Sequence, residues 1–344
     1  MDLVEVALII GFLLSFLIAI ALGGNDAATP TDTAVGARVL TIRQAIVLFA
    51  IFTTFGALTQ GFMVMKTVGT GIVSSIDLLG AIIITLSAFI WILFCNIYGL
   101  EISVTHSIIG SILGYGMAAY GISGIQWSLI QTVVISWFTS PLLAALIAFL
   151  SFKLLAVVAT KYDAISRVMP SILKLALCYS AYAFGANDIA NATGVYVTIA
   201  MMVLGHPPEY NVMLLLAAFG SLGIAIGGFW LGPRVIETVA FKITRLNPVS
   251  GAATEVANAL AVHLFTIVPY MILGYGMPIS TSLASVGALV GVGFASYGSS
   301  GINRRTVTIL LMSWVATVFI TAFLTYVAYS ILFPFIGPIL KPKS

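Results

Sequence analysis

Charged residues are scarce in this sequence. Asp, Glu, Lys and Arg make up 7% of its 344 residues, whereas soluble domains carry about a quarter, and hydrophobic residues make up 60%. A chain with so few charges could not stay dissolved as a globular domain, so we expect a polytopic membrane protein. The net charge of +3 is too small to indicate nucleic acid as a partner.

Cysteine is rare, and a basic N-terminal region is missing. The two cysteines, Cys95 and Cys178, lie in apolar runs, where we expect them to be small buried hydrophobes. A signal peptide begins with a basic region, but Asp2 and Glu5 make this N-terminus acidic. We therefore expect the first apolar stretch to be a membrane span.

Long apolar stretches fill most of the chain. A helical span takes about 17 to 25 residues, and such stretches cover 3–22, 44–65, 78–98, 128–150, 211–232, 252–274 and 307–334. Gly-rich apolar stretches at 101–124, 170–200 and 278–301 predict crossings with a broken helix. The only sizeable polar segments, 151–174 and 234–251, are basic, and we expect them at the cytoplasmic surface.

The sequence is duplicated. Asn25-Asp26 recurs 162 positions later as Asn187-Asp188. At an offset of 177, Ile102-Ser103-Val104-Thr105 matches Ile279-Ser280-Thr281-Ser282, and Ser136-Trp137 matches Ser313-Trp314. We therefore predict a first repeat over 1–150, a basic cytoplasmic linker over 151–174, a second repeat over 175–336 and a short tail over 337–344.

Basic residues predict the orientation, because Lys and Arg accumulate in cytoplasmic loops. With the N-terminus outside and five crossings per repeat, 11 of the 14 basic residues fall on the cytoplasmic side. An odd number of crossings inverts the second repeat relative to the first, as in many secondary transporters. We predict an all-α polytopic protein of the plasma or inner membrane, with two inverted-topology repeats, broken helices or re-entrant hairpins, and about 10–12 transmembrane segments.

The two Asn-Asp pairs predict cation sites. Asp at membrane depth costs roughly 2.5 to 3.5 kcal/mol on insertion scales, so two copies imply a ligand that offsets the cost. Glycines flank both pairs and Pro30 follows the first, which predicts interrupted helices with free carbonyl oxygens. Such carbonyls and the side-chain oxygens together suit Na⁺, and the predicted ligands are Asn25, Asp26, Asn187 and Asp188. The alternative is that these residues cap helices at the membrane surface.

Hydroxyl clusters predict an anion site. The side chains lie just before Gly-rich helical stretches and are Ser103, Thr105, Ser107, Ser280, Thr281 and Ser282. Two helix N-termini from inverted repeats would converge on one oxyanion, since free N–H groups and the helix dipole attract negative charge. In the alternative, the hydroxyls bond their own helices or help them pack.

No Lys or Arg lies next to the Asn-Asp pairs or within the hydroxyl clusters. Dipoles and co-bound cations would then have to balance the charge of an oxyanion. Importing a dianion against 100 mV, inside negative, costs about 4.6 kcal/mol, and two monovalent cations entering with it cancel that cost. This favours symport, and the oxygen-rich sites favour Na⁺ over H⁺.

These motifs resemble those of the inorganic phosphate transporter (PiT) family. The resemblance rests on Gly24-Asn25-Asp26, on Gly185-Ala186-Asn187-Asp188-Ile189-Ala190-Asn191-Ala192, on Pro278-Ile279-Ser280-Thr281-Ser282 and on Ser136-Trp137-Phe138-Thr139-Ser140-Pro141. It implies sodium- or proton-driven phosphate uptake, with both substrates bound by these motifs at the repeat interface, and a homodimer. No other cofactor is implied.

The resemblance extends the predicted sites. It implies Glu255 as a further Na⁺ ligand, and the predicted phosphate-binding residues are Ser103, Val104, Thr105, His106, Ser280, Thr281, Ser282, Thr29, Asn191 and Thr193. The chain departs from the family at Glu101, where Pro is usual, and at Thr53, where animal members carry an acidic residue. These departures leave the cation stoichiometry open.

Two other functions stay open. Sulfate is a tetrahedral oxyanion of similar size to phosphate, so a sulfate permease of the same fold is one alternative. An intramembrane serine protease is the other, since Gly121-Ile122-Ser123-Gly124 resembles the nucleophile motif of rhomboid proteases and His106 or His263 could be its base. Two Asn-Asp pairs are not explained by a protease, and we expect no enzymatic activity.

Overall fold

The computed structural model describes residues 3–206, 208–240 and 243–340. Within these ranges the chain is almost entirely helical, with an isolated bridge between Val73 and Ile125. The α-helices are α1 Leu3–Asp26, α2 Asp32–Gly36, α3 Ile42–Gln60, α4 Phe62–Thr70, α5 Leu78–Ile97, α6 Val104–Tyr120, α7 Trp127–Lys161, α8 Asp163–Leu204, α9 Tyr210–Trp230, α10 Gly232–Ala240, α11 Pro248–Leu273, α12 Thr281–Tyr297 and α13 Arg304–Ile336.

Nine helices of the described part are long and apolar enough to cross a membrane. The predicted all-α membrane fold is confirmed, and the chain is a multi-pass membrane protein. The predicted linker 151–174 is helical apart from Tyr162. Helix α7, of 35 residues, ends within the linker at Lys161, and α8, of 42 residues, begins within it at Asp163. Residues 341–344 of the predicted tail lie outside the described residues.

The prediction of a broken helix over 170–200 is wrong. Asn187 and Asp188 lie within α8, which is helical without interruption from Asp163 to Leu204. A glycine in a helix costs only about 1 kcal/mol relative to alanine, and no proline lies between this Asn-Asp pair and the end of α8 at Leu204. The predicted free backbone carbonyls are therefore absent from the described second copy, and only the side chains leave the helix.

The first Asn-Asp pair does end a helix. Helix α1 stops at Asp26, a turn follows over 27–31, and α2 begins at Asp32. Pro30 lies in this turn, where its missing N–H and its ring prevent α1 from continuing. The two copies therefore place similar side chains on different backbones.

The broken crossings at 101–124 and 278–301 are confirmed. In each, an extended segment leads into a helix of 17 residues, α6 or α12, which ends in a short 3₁₀ turn. Ser103 caps α6 by accepting the N–H of His106, and Ser280 caps α12 by accepting the N–H of Leu283. The cap dihedrals also match, with φ −85° and ψ 111° at Ser103 and φ −88° and ψ 105° at Ser280.

Helices α6 and α12 each pack against the last helix of the other repeat. Helix α6 lies on α13, where a Cβ on Gly114 would stand 2.1 Å from the carbonyl oxygen of Ala322. Helix α12 lies on α7, where a Cβ on Gly291 would stand 2.2 Å from the carbonyl oxygen of Ala145. Both the glycines and the alanines are separated by the offset of 177. The packing therefore repeats with the sequence and joins the two halves.

Candidate functional site

The N-termini of α6 and α12 meet inside the protein. The Ser280 hydroxyl donates to the Ser103 hydroxyl at 2.8 Å, and the Thr105 hydroxyl donates to the carbonyl oxygen of Ile279 at 2.9 Å. These side chains are 1–2% exposed. The convergence of the two hydroxyl clusters is thus present in the structure.

Backbone donors remain free at this junction. None of the hydrogen bonds of the described residues uses the N–H of Val104 or Thr105 in α6, or of Thr281 or Ser282 in α12. The first turn of a helix has no internal acceptors for its N–H groups, so they require a ligand, water or a side chain. Two positive helix ends with four free donors have the chemistry of a candidate anion site.

Carboxylates lie next to the hydroxyls. Asp188 Oδ1 accepts from the Asn191 amide at 2.7 Å and from the Thr105 hydroxyl at 3.4 Å, and the Asn191 amide also donates to Thr105 at 3.0 Å. Asp26 lies within electrostatic range of Asp188. Asp26 Oδ1 and Asp188 Oδ2 are buried and have no hydrogen-bond partner among the described residues. These two oxygens are available to a cation.

Asn25 holds the extended segment that leads into α6. Its side-chain amide donates to the carbonyl oxygen of Leu100 at 3.0 Å, and its side-chain oxygen accepts the N–H of Ile102 at 3.0 Å. The same amide donates to Asn96 at 2.7 Å. Non-helical backbone at membrane depth needs such partners for its polar groups. The side chain therefore positions the tip of α6.

Asn187 makes the corresponding contacts in the second repeat. Its amide donates to the carbonyl oxygen of Met277 at 2.9 Å, and its oxygen accepts the N–H of Ile279 at 3.3 Å. Both partners lie 177 positions after those of Asn25. An amide oxygen has a second lone pair, so the predicted Na⁺ ligation by both asparagines stays a prediction.

Two further residues were predicted as phosphate ligands. Thr29 lies close to α12, whereas Thr193 faces away from the hydroxyl cluster. The carbonyl oxygen of Thr29 accepts from the Ser285 hydroxyl of α12 at 3.3 Å, and its own hydroxyl is buried without a partner in the described part. The Thr193 hydroxyl instead bonds the carbonyl oxygen of Ile189 at 2.8 Å, and its methyl group faces Gly220 in α9. The structure does not bring Thr193 to the hydroxyl cluster.

His106 closes one side of the site. Its Nδ1 bonds the Ser103 hydroxyl, and its ring stacks on Trp137 with the ring centroids 3.7 Å apart. Beyond this pair lies a largely apolar cavity of about 570 Å³ between the α7–α12 and α6–α13 pairs. The imidazole therefore separates the hydroxyl cluster from an apolar space.

Glu255 belongs to a second acidic group with Asp32 and Glu101. Thr33 donates its hydroxyl to Glu255 Oε1 at 2.6 Å, and Asp32 lies within electrostatic range of both glutamates. All three carboxylates are 0–2% exposed. Nothing in the sequence pairs them, although each is one of only 11 acidic residues in a very apolar chain. The scarcity of acidic residues is the sequence feature that could have identified Asp32 and Glu101 as candidate functional residues.

The structure gives no support to the protease interpretation. Ser123 is exposed in the 3₁₀ turn Ile122–Gly124. The ring nitrogens of His263 bond Tyr179 and Gln60, each at 2.8 Å. No hydrogen bond within the described part joins Ser123 to His106 or His263, so the nucleophile and base of a protease are not assembled.

Comparisons with known proteins agree with this geometry. A model of the family described as "Phosphate transporter family" matches residues 22–175 and 159–325. Two proteins named as phosphate permeases, from Pyrococcus furiosus and Pyrococcus horikoshii, are each 32% identical to the chain. Their alignments cover 90% and 94% of this chain and 92% and 97% of the relatives.

A solved structure is also similar. It is named "The sodium-dependent phosphate transporter" and matches with a TM-score of 0.86 and 29% sequence identity over 96% of this chain and 100% of the other. The family match spans both repeats, so the similarity is not limited to one motif. The chain therefore belongs to the phosphate transporter family, whose members are transporters and not enzymes.

Proposed function

We propose that this protein is a symporter that couples Na⁺ entry to the uptake of inorganic phosphate by alternating access. The observation that carries the proposal is the meeting of two capped helix N-termini beside Asp188, which the Ser280–Ser103 contact of 2.8 Å brings together. The structural relative is sodium-dependent, as its name says. Donors for an anion and unpaired oxygens for a cation therefore lie in one buried place.

Phosphate binding would use the free donors of α6 and α12. The N–H groups of Val104 and Thr105 and those of Thr281 and Ser282 can donate to phosphate oxygens. Each helix end adds about half a positive charge. Hydroxyls and His106 would complete the hydrogen bonds, so the anion is held without Lys or Arg.

Sodium binding would use the carboxylates. Asp188 accepts from the Thr105 hydroxyl of the anion site, and Asp26 lies within electrostatic range of Asp188. A cation bound between their unpaired oxygens and phosphate would offset the mutual repulsion. Neither substrate would then bind well alone. This mutual dependence is the physical basis for coupling.

The remaining parts of the proposal concern the whole assembly. We place the protein in the plasma or inner membrane with its N-terminus outside and its basic segments in the cytoplasm. Inverted repeats that meet at one site allow that site to open alternately to either side. A homodimer is proposed from the family resemblance, and the mass of the detergent-solubilised protein would test it.

Uptake of radioactive phosphate into proteoliposomes tests the function. We expect an inward Na⁺ gradient to drive uptake above that in choline, and excess sulfate not to compete. Asp26→Asn and Asp188→Asn should each lower Na⁺-driven uptake by about tenfold or more, because each removes a charged ligand contributing roughly 1.5–3 kcal/mol.

Thr105→Val tests the anion site, with Thr139→Val as its control. The Thr139 hydroxyl bonds the carbonyl oxygen of Ile135 in its own helix and is far less buried than that of Thr105. The phosphate concentration for half-maximal uptake should rise for Thr105→Val alone. Equal uptake with Na⁺ and choline would refute sodium coupling, and competition by sulfate would indicate a broader or different cargo.

A further inference from the structure

Asp32 and Glu101 are buried with all their carboxylate oxygens unpaired. Their exposed fractions are 0% and 2%, and none of the four oxygens has a hydrogen-bond partner in the ranges that the structure describes. Asp32 begins α2, and Glu101 lies in the extended segment before α6. A buried carboxylate without a donor is unfavourable, so each requires a partner beyond these residues.

The second repeat has no counterpart to either charge. The offset of 162 takes Asp32 to Gly194, and the offset of 177 takes Glu101 to Pro278. The anion site, by contrast, is built from equivalent residues of both repeats. Glu101 lies two residues before Ser103 of that site and would repel phosphate, and Asp32 lies within electrostatic range of Glu101. They therefore belong to a feature of one repeat only.

The surroundings of these carboxylates supply oxygen atoms. Asp32 is within electrostatic range of Glu255 and Glu101, and Glu101 is within range of Asp26. The Thr29 hydroxyl, one turn before Asp32, is buried without a partner in the described part. None of the interactions found for these carboxylates in the described ranges is with Lys or Arg. The available partner must bring positive charge from solution.

A metal cation fits these oxygens better than a proton. A proton would neutralise each carboxyl group but would give no partner to its second oxygen, and neither oxygen of Asp32 or Glu101 receives a hydrogen bond among the described residues. Alkali cations are bound by carboxylate, hydroxyl and carbonyl oxygens, as in other sodium-coupled carriers. The described residues contain no three Asp, Glu, His or Cys side chains that could hold one metal, so other oxygens must complete the ligand set.

We propose that Asp32 and Glu101 bind a sodium ion of their own, in addition to the cation bound at Asp26 and Asp188. Hydroxyl or carbonyl oxygens and water complete its coordination. The inference rests on the proposed function. It gives each transport cycle one more sodium ion than the symmetric site requires.

The ratio of sodium to phosphate uptake tests the number of ions. Radioactive Na⁺ and phosphate are measured in the same proteoliposomes for wild type, Asp32→Asn and Glu101→Gln. We expect both variants to carry about one Na⁺ fewer per phosphate and to need about tenfold more Na⁺ for half-maximal uptake, equivalent to about 1.4 kcal/mol of binding. Asp163→Asn and Glu209→Gln are the matched controls, because both side chains are exposed.

Thermal unfolding of the purified protein tests the site without transport. In choline chloride and without phosphate, the neutral variants should melt above wild type, since they remove an uncompensated buried charge. In saturating NaCl they should gain less stability than wild type does. A wild-type protein stabilised by NaCl to the same extent as Asp32→Asn and Glu101→Gln would overturn the sodium site.

The outcomes separate this inference from the proposed function. Wild-type protein that carries no phosphate would refute the function, while the melting experiment would still decide the site. An unchanged sodium-to-phosphate ratio in both variants would overturn the additional ion. Variants that alter the pH dependence of uptake and leave its Na⁺ dependence intact would overturn it too, because a proton would then occupy the site.

Discussion

At the scale of single residues, Asn25 and Asn187 have a structural role besides their predicted ligation of a cation. Each side chain hydrogen-bonds one carbonyl oxygen and one N–H of the extended backbone just before α6 or α12. The sequence predicted these asparagines as functional from their repetition. It could not predict the pairing, because the partners lie about 75 to 92 positions away.

Replacing either asparagine by alanine should damage both stability and binding. Each change leaves a backbone donor and an acceptor unpaired, at roughly 1–3 kcal/mol per buried group. We expect Asn25→Ala and Asn187→Ala to lower the melting temperature and weaken phosphate binding to similar extents. Asn211→Ala, on the exposed first turn of α9, is the control. Variants that match this control in both measurements would contradict the positioning role.

At the scale of helices, the sequence predicted the helix starts and breaks that neighbouring residues determine. The capped N-termini of α6 and α12 follow from Ser103 and Ser280 ahead of Gly-rich helical stretches, and Pro30 correctly predicted a break. The break expected at Asn187 failed because glycine only weakens a helix, whereas the packing of α8 against α3, α4 and α11 maintains it. The proximity of Asp32 and Glu255 could not be predicted from the sequence either, because α2 and α11 come together only in the folded chain.

The contacts of α6 and α12 with the long helices predict strong sensitivity to a single methyl group. Gly114→Ala and Gly291→Ala would force a Cβ against a backbone carbonyl oxygen at 2.1–2.2 Å. Overpacking of this kind costs about 1–3 kcal/mol, and small residues at such crossings allow helices to approach in lipid. We expect both variants to melt at lower temperature and to lose uptake.

Gly228→Ala is the control for these helix crossings. A Cβ at Gly228 would stand 3.3 Å from the Phe49 ring, which can shift more easily than a backbone. Its melting temperature should stay close to that of wild type. If Gly114→Ala and Gly291→Ala were as stable as Gly228→Ala, the close crossings of α6 with α13 and of α12 with α7 would not be important for folding.

At the scale of the whole molecule, the two repeats exchange their partners. Helix α6 of the first repeat packs on α13 of the second, and α12 of the second packs on α7 of the first. The first repeat alone could therefore not bury α6, and the second repeat alone could not bury α12. The exchange places the N-termini of α6 and α12 at one shared point. Under the proposed alternating access, a motion of one repeat relative to the other would change access to that point.

The predicted inverted topology would place equivalent positions of the repeats on opposite sides of the membrane. Ser128 and Arg305 are separated by the offset of 177, lie in the first turns of α7 and α13, and are both exposed. In a background with Cys95 and Cys178 replaced by Ala, we expect a membrane-impermeant thiol reagent added to intact cells to label Ser128→Cys. Arg305→Cys should be labelled only after the membrane is permeabilised, because basic residues accumulate on the cytoplasmic side. Labelling of both from the same side would mean that the repeats are parallel, and alternating access through inverted halves would then have no structural basis.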